Sequence, residues 1–133
     1  MNSMAPSTYF SPQLFIRNGV TDVSFYTRAL DAVEQQRWTN DDGTIHVVEM
    51  AVGPLLFHLH EAMQKKKHLE PQSMDGATTV QLGLFVPDVA TAMKKAIAAG
   101  ATEINPVTDY EYGYRQAEFR DPFGHVWALQ QKI

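Results

Sequence analysis

Two pairs of unlike landmarks recur at almost the same spacing in this 133-residue chain. The residues placed to cap helices, Asn18 and Asp88, stand 70 positions apart, and the turn glycines Gly53 and Gly124 stand 71 apart. One offset shared by a capping residue and a turn residue points to an internal duplication. The pattern between the landmarks agrees. Gln13 to Arg17 reads as a strand, and Asn18 offers a cap to a helix carrying Val20, Val23, Tyr26 and Leu30 on one face. Val33–Thr39, Thr44–Val52 and Leu55–His60 read as three strands, broken at Asn40-Asp41-Asp42-Gly43 and at Gly53-Pro54. The order then restarts. Thr79–Val86 reads as a strand, and Asp88 caps a helix whose apolar stripe is Val89, Met93, Ala96 and Ile97, stopped by Gly100. Thr102–Thr108, Tyr114–Phe119 and His125–Gln130 read as strands, the last entered through Asp121-Pro122-Phe123-Gly124.

The expected fold class is therefore α+β, with two tandem β-α-β-β-β modules forming cupped mixed sheets. One domain spans 1–133, with a first module at 12–60, a connector at 61–77 and a second module at 78–131. Residues 1–11, polar and rich in Pro and Ser, read as a flexible lead-in. A four-stranded sheet with one helix covers only one of its faces, so each module needs a partner for the other. Two strongly twisted sheets meeting in this way are expected to curl around a small-molecule cavity.

Composition narrows the function classes. The chain has no cysteine, which rules out disulfides, thiolate catalysis and Cys-based zinc sites. Its net charge of −4 and its single basic run, Lys65-Lys66-Lys67-His68, argue against a nucleic-acid partner. No apolar run reaches the length of a membrane span, and no basic-then-apolar leader is visible, so a cytoplasmic location is expected. Phosphate-cradling glycines, a nucleophilic serine elbow and a dinucleotide fingerprint are all missing from the sequence.

The candidate site residues follow from strand alternation. Period two puts Leu56, His58 and His60 on one face and Leu55, Phe57 and Leu59 on the other, so two imidazoles share a face. Gln81 interrupts an apolar strand in the second half. Phe15, Trp38, Phe57, Phe85, Phe119 and Trp127 stand at strand positions. Most of these belong to the core, with Phe15 and Trp38 as candidates to stack on a flat ligand. Tyr110, Tyr112, Tyr114 and Arg115 cluster around Gly113, either as a surface hairpin or as a pocket rim where Arg115 meets an anion. Candidate ligand-binding residues are thus His58, His60, Gln81, Gln13, Phe15, Trp38, Tyr114 and Arg115. His125 is expected to make a structural hydrogen bond, and His68 sits in the connector.

The stretch Ile16-Arg17-Asn18 with Phe25-Tyr26, the run Val86-Pro87-Asp88-Val89 through Ala98-Ala99-Gly100-Ala101, and above all Arg120-Asp121-Pro122-Phe123-Gly124-His125-Val126-Trp127-Ala128-Leu129 resemble the vicinal oxygen chelate superfamily. That superfamily includes glyoxalase I, bleomycin-resistance proteins, fosfomycin-resistance enzymes and extradiol dioxygenases; the last stretch is similar to the ending of its glyoxalase-like subgroup. The resemblance covers about residues 12–131. It implies four metal-ligand positions, on the first and last strand of each half, whose divalent ion binds vicinal oxygens of a substrate. Carried over, these positions fall on Ser11 (with Gln13 two residues on), His58, Gln81 and Ala128. His58 and Gln81 are competent metal ligands, whereas Ala128 stands where a Glu is usual and has no donor atom. His60, His46 or Glu49 would substitute under a shifted register.

Three functions remain in view. The first is a metal-independent binder of a small organic molecule, and it is the reading preferred here. The second is a lyase, isomerase or dioxygenase using Ni, Zn, Fe or Mn, and the third is a non-catalytic protein-interaction domain. Whether the chain is an enzyme stays open. The resemblance also implies a homodimer, which two-fold symmetry favours on general grounds.

Overall fold

The computed structural model describes residues 7–133, so the first part of the expected lead-in, residues 1–6, lies outside the described residues. Eight strands and two helices follow in the expected order: β1 (Gln13–Ile16), α1 (Phe25–Leu30), β2 (Val33–Thr39), β3 (Ile45–Val52), β4 (Leu55–Glu61), β5 (Gln81–Phe85), α2 (Val89–Ala98), β6 (Thr102–Tyr110), β7 (Tyr114–Arg120) and β8 (Val126–Lys132). Two four-stranded mixed sheets result, ordered β1-β4-β3-β2 and β5-β8-β7-β6. In each, the first strand runs parallel to the fourth and the other neighbours are antiparallel. The topology is the same twice over. Short 3-10 turns at Gln64–Lys66 and Pro71–Met74 occupy the connector. No described helix is long and apolar enough to cross a membrane.

The two helices differ in how they begin. Asp88 caps α2 by accepting from Thr91 N at 3.1 Å, as its sequence position predicts. Asn18 does not cap α1. That helix starts seven residues later, after Ser24, and the Asn18 side chain instead donates to Glu61 Oε1 (2.8 Å) and Ala62 O (3.2 Å). Capping would need the side-chain oxygen, but Asn18 is held through its nitrogen, and Gly19 at φ +93° turns the chain out of a helical path directly after it. Ile97, expected on the buried stripe of α2, is 39% exposed, while Val89, Met93 and Ala96 are buried.

One core serves both modules. The buried faces carry Leu14, Ile16, Ile45, Met50, Phe57 and Leu59 from the first sheet and Ala117, Phe119, Trp127 and Leu129 from the second. Tyr26 of α1 is fully buried between them, with its ring 5.4 Å from Phe57, 6.1 Å from Trp127 and 6.1 Å from Phe123. Phe57 and Trp127 meet edge to face at 5.6 Å. The sheets thus share the faces that the helices pack on, and they do not close into a barrel.

The turn Asp121-Pro122-Phe123-Gly124 fastens this core. Asp121 is the one buried charged residue among those described, and its carboxylate is fully used. It accepts from Tyr26 Oη (2.6 Å), Trp127 Nε1 (3.0 Å), Phe123 N (2.9 Å) and His125 N (3.0 Å). Burial, and then the Asp121 charge, push the Tyr26 hydroxyl well above the usual tyrosine range, so it stays a donor. His125 joins its Nε2 to Phe15 O at 2.7 Å, the structural hydrogen bond expected of it. Gly124 has φ +96°, and a Cβ there would lie 2.8 Å from Pro71 Cβ, so only glycine lets the connector pack on the turn.

Candidate functional site

Strand alternation leaves each sheet a second face, turned away from the shared core. On the first sheet the register sets Gln13, Glu49, His58 and His60 on that face, together with Phe15, Val47 and Trp38. On the second it sets Gln81, Gly83 and Phe85 beside Ala128, Gln130, Gln116 and Glu118. These open faces hold most of the residues singled out from sequence.

His58 is the centre of the first face. Its Nδ1 lies 2.7 Å from Ser11 Oγ and 3.0 Å from Gln13 Nε2. An amide nitrogen only donates, so Nδ1 is the acceptor and the ring proton sits on Nε2, 3.2 Å from Glu49 Oε2. Trp38, His46, Val47 and His58 line an open hollow of about 390 Å³, in which Trp38 is 44% exposed.

Further along the same face, His46, His60 and His68 approach one another around Phe15. The His68 ring stacks on Phe15 at 4.0 Å, and His60 lies edge-on to His46 (5.2 Å) and to His68 (5.5 Å). Glu61 anchors this end by accepting from His46 Nδ1 at 2.7 Å and from the amides of Asn18 and Asn40. Burial opposes its ionisation, but the hydrogen bonds from His46, Asn18 and Asn40 outweigh that and hold its carboxyl below the usual range. His68 Nδ1 accepts from Met63 N at 3.1 Å, which requires a neutral ring. Desolvation, then the neighbouring His60 and Lys66, lower its basicity.

The second face is built from carboxamides. Glu118 accepts from Gln81 Nε2 and Asn105 Nδ2. Gln116 Nε2 donates to Gln130 Oε1 at 2.8 Å, and Tyr112 Oη donates to Gln116 Oε1 at 3.1 Å. Gln81, Gly83, Gln116, Glu118, Ala128 and Gln130 line a hollow of about 340 Å³. Gln81 also borders an apolar crevice with Leu56, Leu82, Leu84 and Trp127. The Tyr114 ring lies 6.0 Å from Phe85. Arg115 points from the other side of β7 and grips Asp109 through two contacts of 2.5 and 3.0 Å.

Tertiary structure thus groups Gln13, His58 and Trp38 on one open face, with Phe15 and His60 beside them. It sets Gln81 and Tyr114 on the other. Arg115 belongs to neither. Sequence reasoning passed over Glu118, and Glu49 entered only as a stand-in. The two lie 69 positions apart, and each is the cross-strand partner of a last-strand position, Glu49 of His58 and Glu118 of Ala128. The repeat offset was the signal that would have found them.

The donor atoms present do not fit a four-ligand metal site within one chain. Among the described residues no three His, Asp or Glu side chains converge closely enough to hold an ion. Both nitrogens of His58 already have partners on its own face, and Gln81 bonds Glu118.

Comparison with known proteins gives a consistent result. Residues 15–129 match the family model described as Glyoxalase/Bleomycin resistance protein/Dioxygenase superfamily. An uncharacterized protein of Mycobacterium bovis is 32% identical over 126 residues, covering 92% of this chain and 82% of that protein. The crystal structure of an Arabidopsis thaliana gene product superposes with a TM-score of 0.75 at 23% identity, covering 95% of this chain and all of the other. A bleomycin-binding protein in complex with bleomycin superposes with a TM-score of 0.66 at 19% identity, covering 96% of this chain and all of its own.

Proposed function

This chain belongs to the Glyoxalase/Bleomycin resistance protein/Dioxygenase superfamily, and from that premise we propose that it binds a small organic molecule on its open sheet faces without using a metal ion. The observation that carries the reading is the state of the donor atoms. His58 and Gln81, the two competent positions of the ligand pattern, lie on different sheets and hydrogen-bond to side chains of their own face. Such networks suit recognition of hydrogen-bonding groups on an organic ligand. The hollow beside His58 adds an exposed indole, Trp38, on which a flat ligand can stack. The bleomycin-binding relative, with the same fold, was crystallised with an organic molecule bound.

A homodimer fits this proposal. Among the described residues nothing covers either open face, and each carries exposed aromatic groups, Trp38 on one and Phe85 on the other. A second copy would turn each shallow hollow into an enclosed one.

The test is metal content together with ligand-dependent fluorescence. Trp127 is buried, so an emission change that disappears in Trp38→Phe reports occupancy of the first face. Elemental analysis after incubation with Ni²⁺, Zn²⁺, Fe²⁺ or Mn²⁺ is expected to find no stoichiometric metal. Stoichiometric metal that is lost in His58→Ala would replace this reading with that of a metal-dependent enzyme.

A further inference from the structure

We infer that the hollow over Gly83 and Ala128 receives the ammonium or guanidinium group of a small organic cation, an inference that rests on the small-molecule reading above. Three features of the second face carry it: an open floor, an acceptor-rich wall and an aromatic row.

The floor is bare because the two cross-strand partners there, Gly83 and Ala128, are the smallest residues. A Cβ on Gly83 would lie 2.9 Å from Gln130 Nε2, so the carboxamide wall stands where a larger floor residue would push it aside. The volume of about 340 Å³ falls at the lower end of the range for small-molecule sites.

The wall offers mainly acceptors. Glu118 takes hydrogen bonds from Gln81 Nε2 and Asn105 Nδ2. This orientation leaves Gln81 Oε1 and Asn105 Oδ1 without donors, beside the remaining lone pairs of the carboxylate. Gln116 Nε2 donates to Gln130 Oε1, so each of Gln81, Asn105 and Gln116 has one N–H committed within the wall. Among the described residues no cation forms an ion pair with Glu118. Arg120 and Lys132 share its face by strand alternation, but Arg120 is turned to Gly76 O and Gly124 O at 2.8 Å each, and Lys132 lies at the exposed end of β8. Arg115 is held by Asp109 on the other side of β7. A carboxylate without an ion-pair partner, beside free carbonyl oxygens, selects a donor-rich positive group over an anion.

Beside the wall stand Tyr110, Tyr112, Tyr114 and Phe85, with successive ring centroids 5.3, 5.6 and 6.0 Å apart. The Tyr112 hydroxyl ties this row to Gln116. Tyr112 is 61% exposed and Phe85 57%, unusual for aromatic groups without a partner. Their ring faces attract cations and also accommodate the apolar body of an amine-bearing molecule.

The test uses two probes of matched shape, 2-phenylethylguanidine (positively charged) and 2-phenylethylurea (neutral). Side-chain NH₂ resonances of Gln81, Asn105, Gln116 and Gln130 are followed by ¹H–¹⁵N NMR during titration. The guanidine is expected to move these signals and to bind at least tenfold more tightly than the urea. Glu118→Gln should erase that preference, and Ala128→Leu, which plugs the floor and keeps the charge, should weaken both probes. Equal binding of the two probes, or an unchanged preference in Glu118→Gln, would overturn the cation assignment and leave small-molecule binding intact. If neither probe perturbs the hollow, and Trp38 emission responds to no ligand in the screen, both readings fall together.

Discussion

The two halves of this protein are copies in topology and differ in chemistry. Both sheets have the order first-fourth-third-second, and both set a glutamate opposite the open-face position of the last strand. Around that frame the first open face carries imidazoles, with His58 clasped by Ser11, Gln13 and Glu49. The second carries carboxamides, with Glu118 clasped by Gln81 and Asn105. The buried faces of both halves are apolar, since both must fill one core with close-packed side chains. Duplication therefore kept what packing requires and released what faces outward.

The halves also differ at their last turns. The second carries Asp121, and the stretch Ala51-Val52-Gly53-Pro54 of the first has no carboxylate. Asp121→Ala would strand Tyr26 Oη, Trp127 Nε1 and two backbone N–H groups in the core. The expected loss is about 3–5 kcal/mol, measured by denaturant unfolding. A loss below ~1 kcal/mol would mean that this turn does not fasten the halves together.

The two turn glycines sharpen the contrast with a smaller effect. Gly124→Ala meets both a positive φ and the Pro71 contact at 2.8 Å, whereas Gly53→Ala meets only a φ of +58° in open space. The first is expected to cost about 2–3 kcal/mol and the second about 1, in the same unfolding measurement. Equal costs would remove the connector from the account.

The smallest expected effect is acid sensitivity confined to the first half. The folded state lowers the basicity of His68, so its contribution is complete above the ordinary imidazole value of 6.5 and is lost as pH falls through its lowered folded value. Protonation removes the acceptor for Met63 N and adds a charge beside His60 and Lys66. Glu61 is likewise lowered from 4.5, so its contribution is complete above that value and fades with further acidification. Between pH 7.5 and 5 the amide-exchange protection factors, corrected for the intrinsic rate at each pH, should fall around Met63 and stay unchanged on the open face of the second sheet. An equal fall in both halves would contradict the assignment.

Much of the fold was legible because strands and helices leave periodic marks that depend only on near neighbours. The repeat offset, the capping role of Asp88 and the shared face of His58 and His60 are of this kind. The start of α1 was not legible, because the chain turns at Gly19 (φ +93°) and Asn18 is tied by its nitrogen to Glu61, 43 residues away, before the helix begins at Phe25. The site was half legible. Alternation identified which residues share a strand face, but the pairing of Glu49 with His58 and of Glu118 with Ala128 joins separate strands and is not marked within either one. The expected enclosed pocket did not follow, since enclosure depends on which faces of the two sheets meet.

The amino-acid sequence by itself determined the order of elements, their duplication and the two-sided character of each strand, all consequences of local sterics and apolar period. Tertiary structure alone decided that the helix-bearing faces meet around Tyr26 and Asp121, leaving the imidazole and carboxamide faces open. The physical reason is that burying the larger apolar faces of both sheets together removes the most apolar surface from water. That choice is a comparison between surfaces distant in the chain, and no local pattern encodes it.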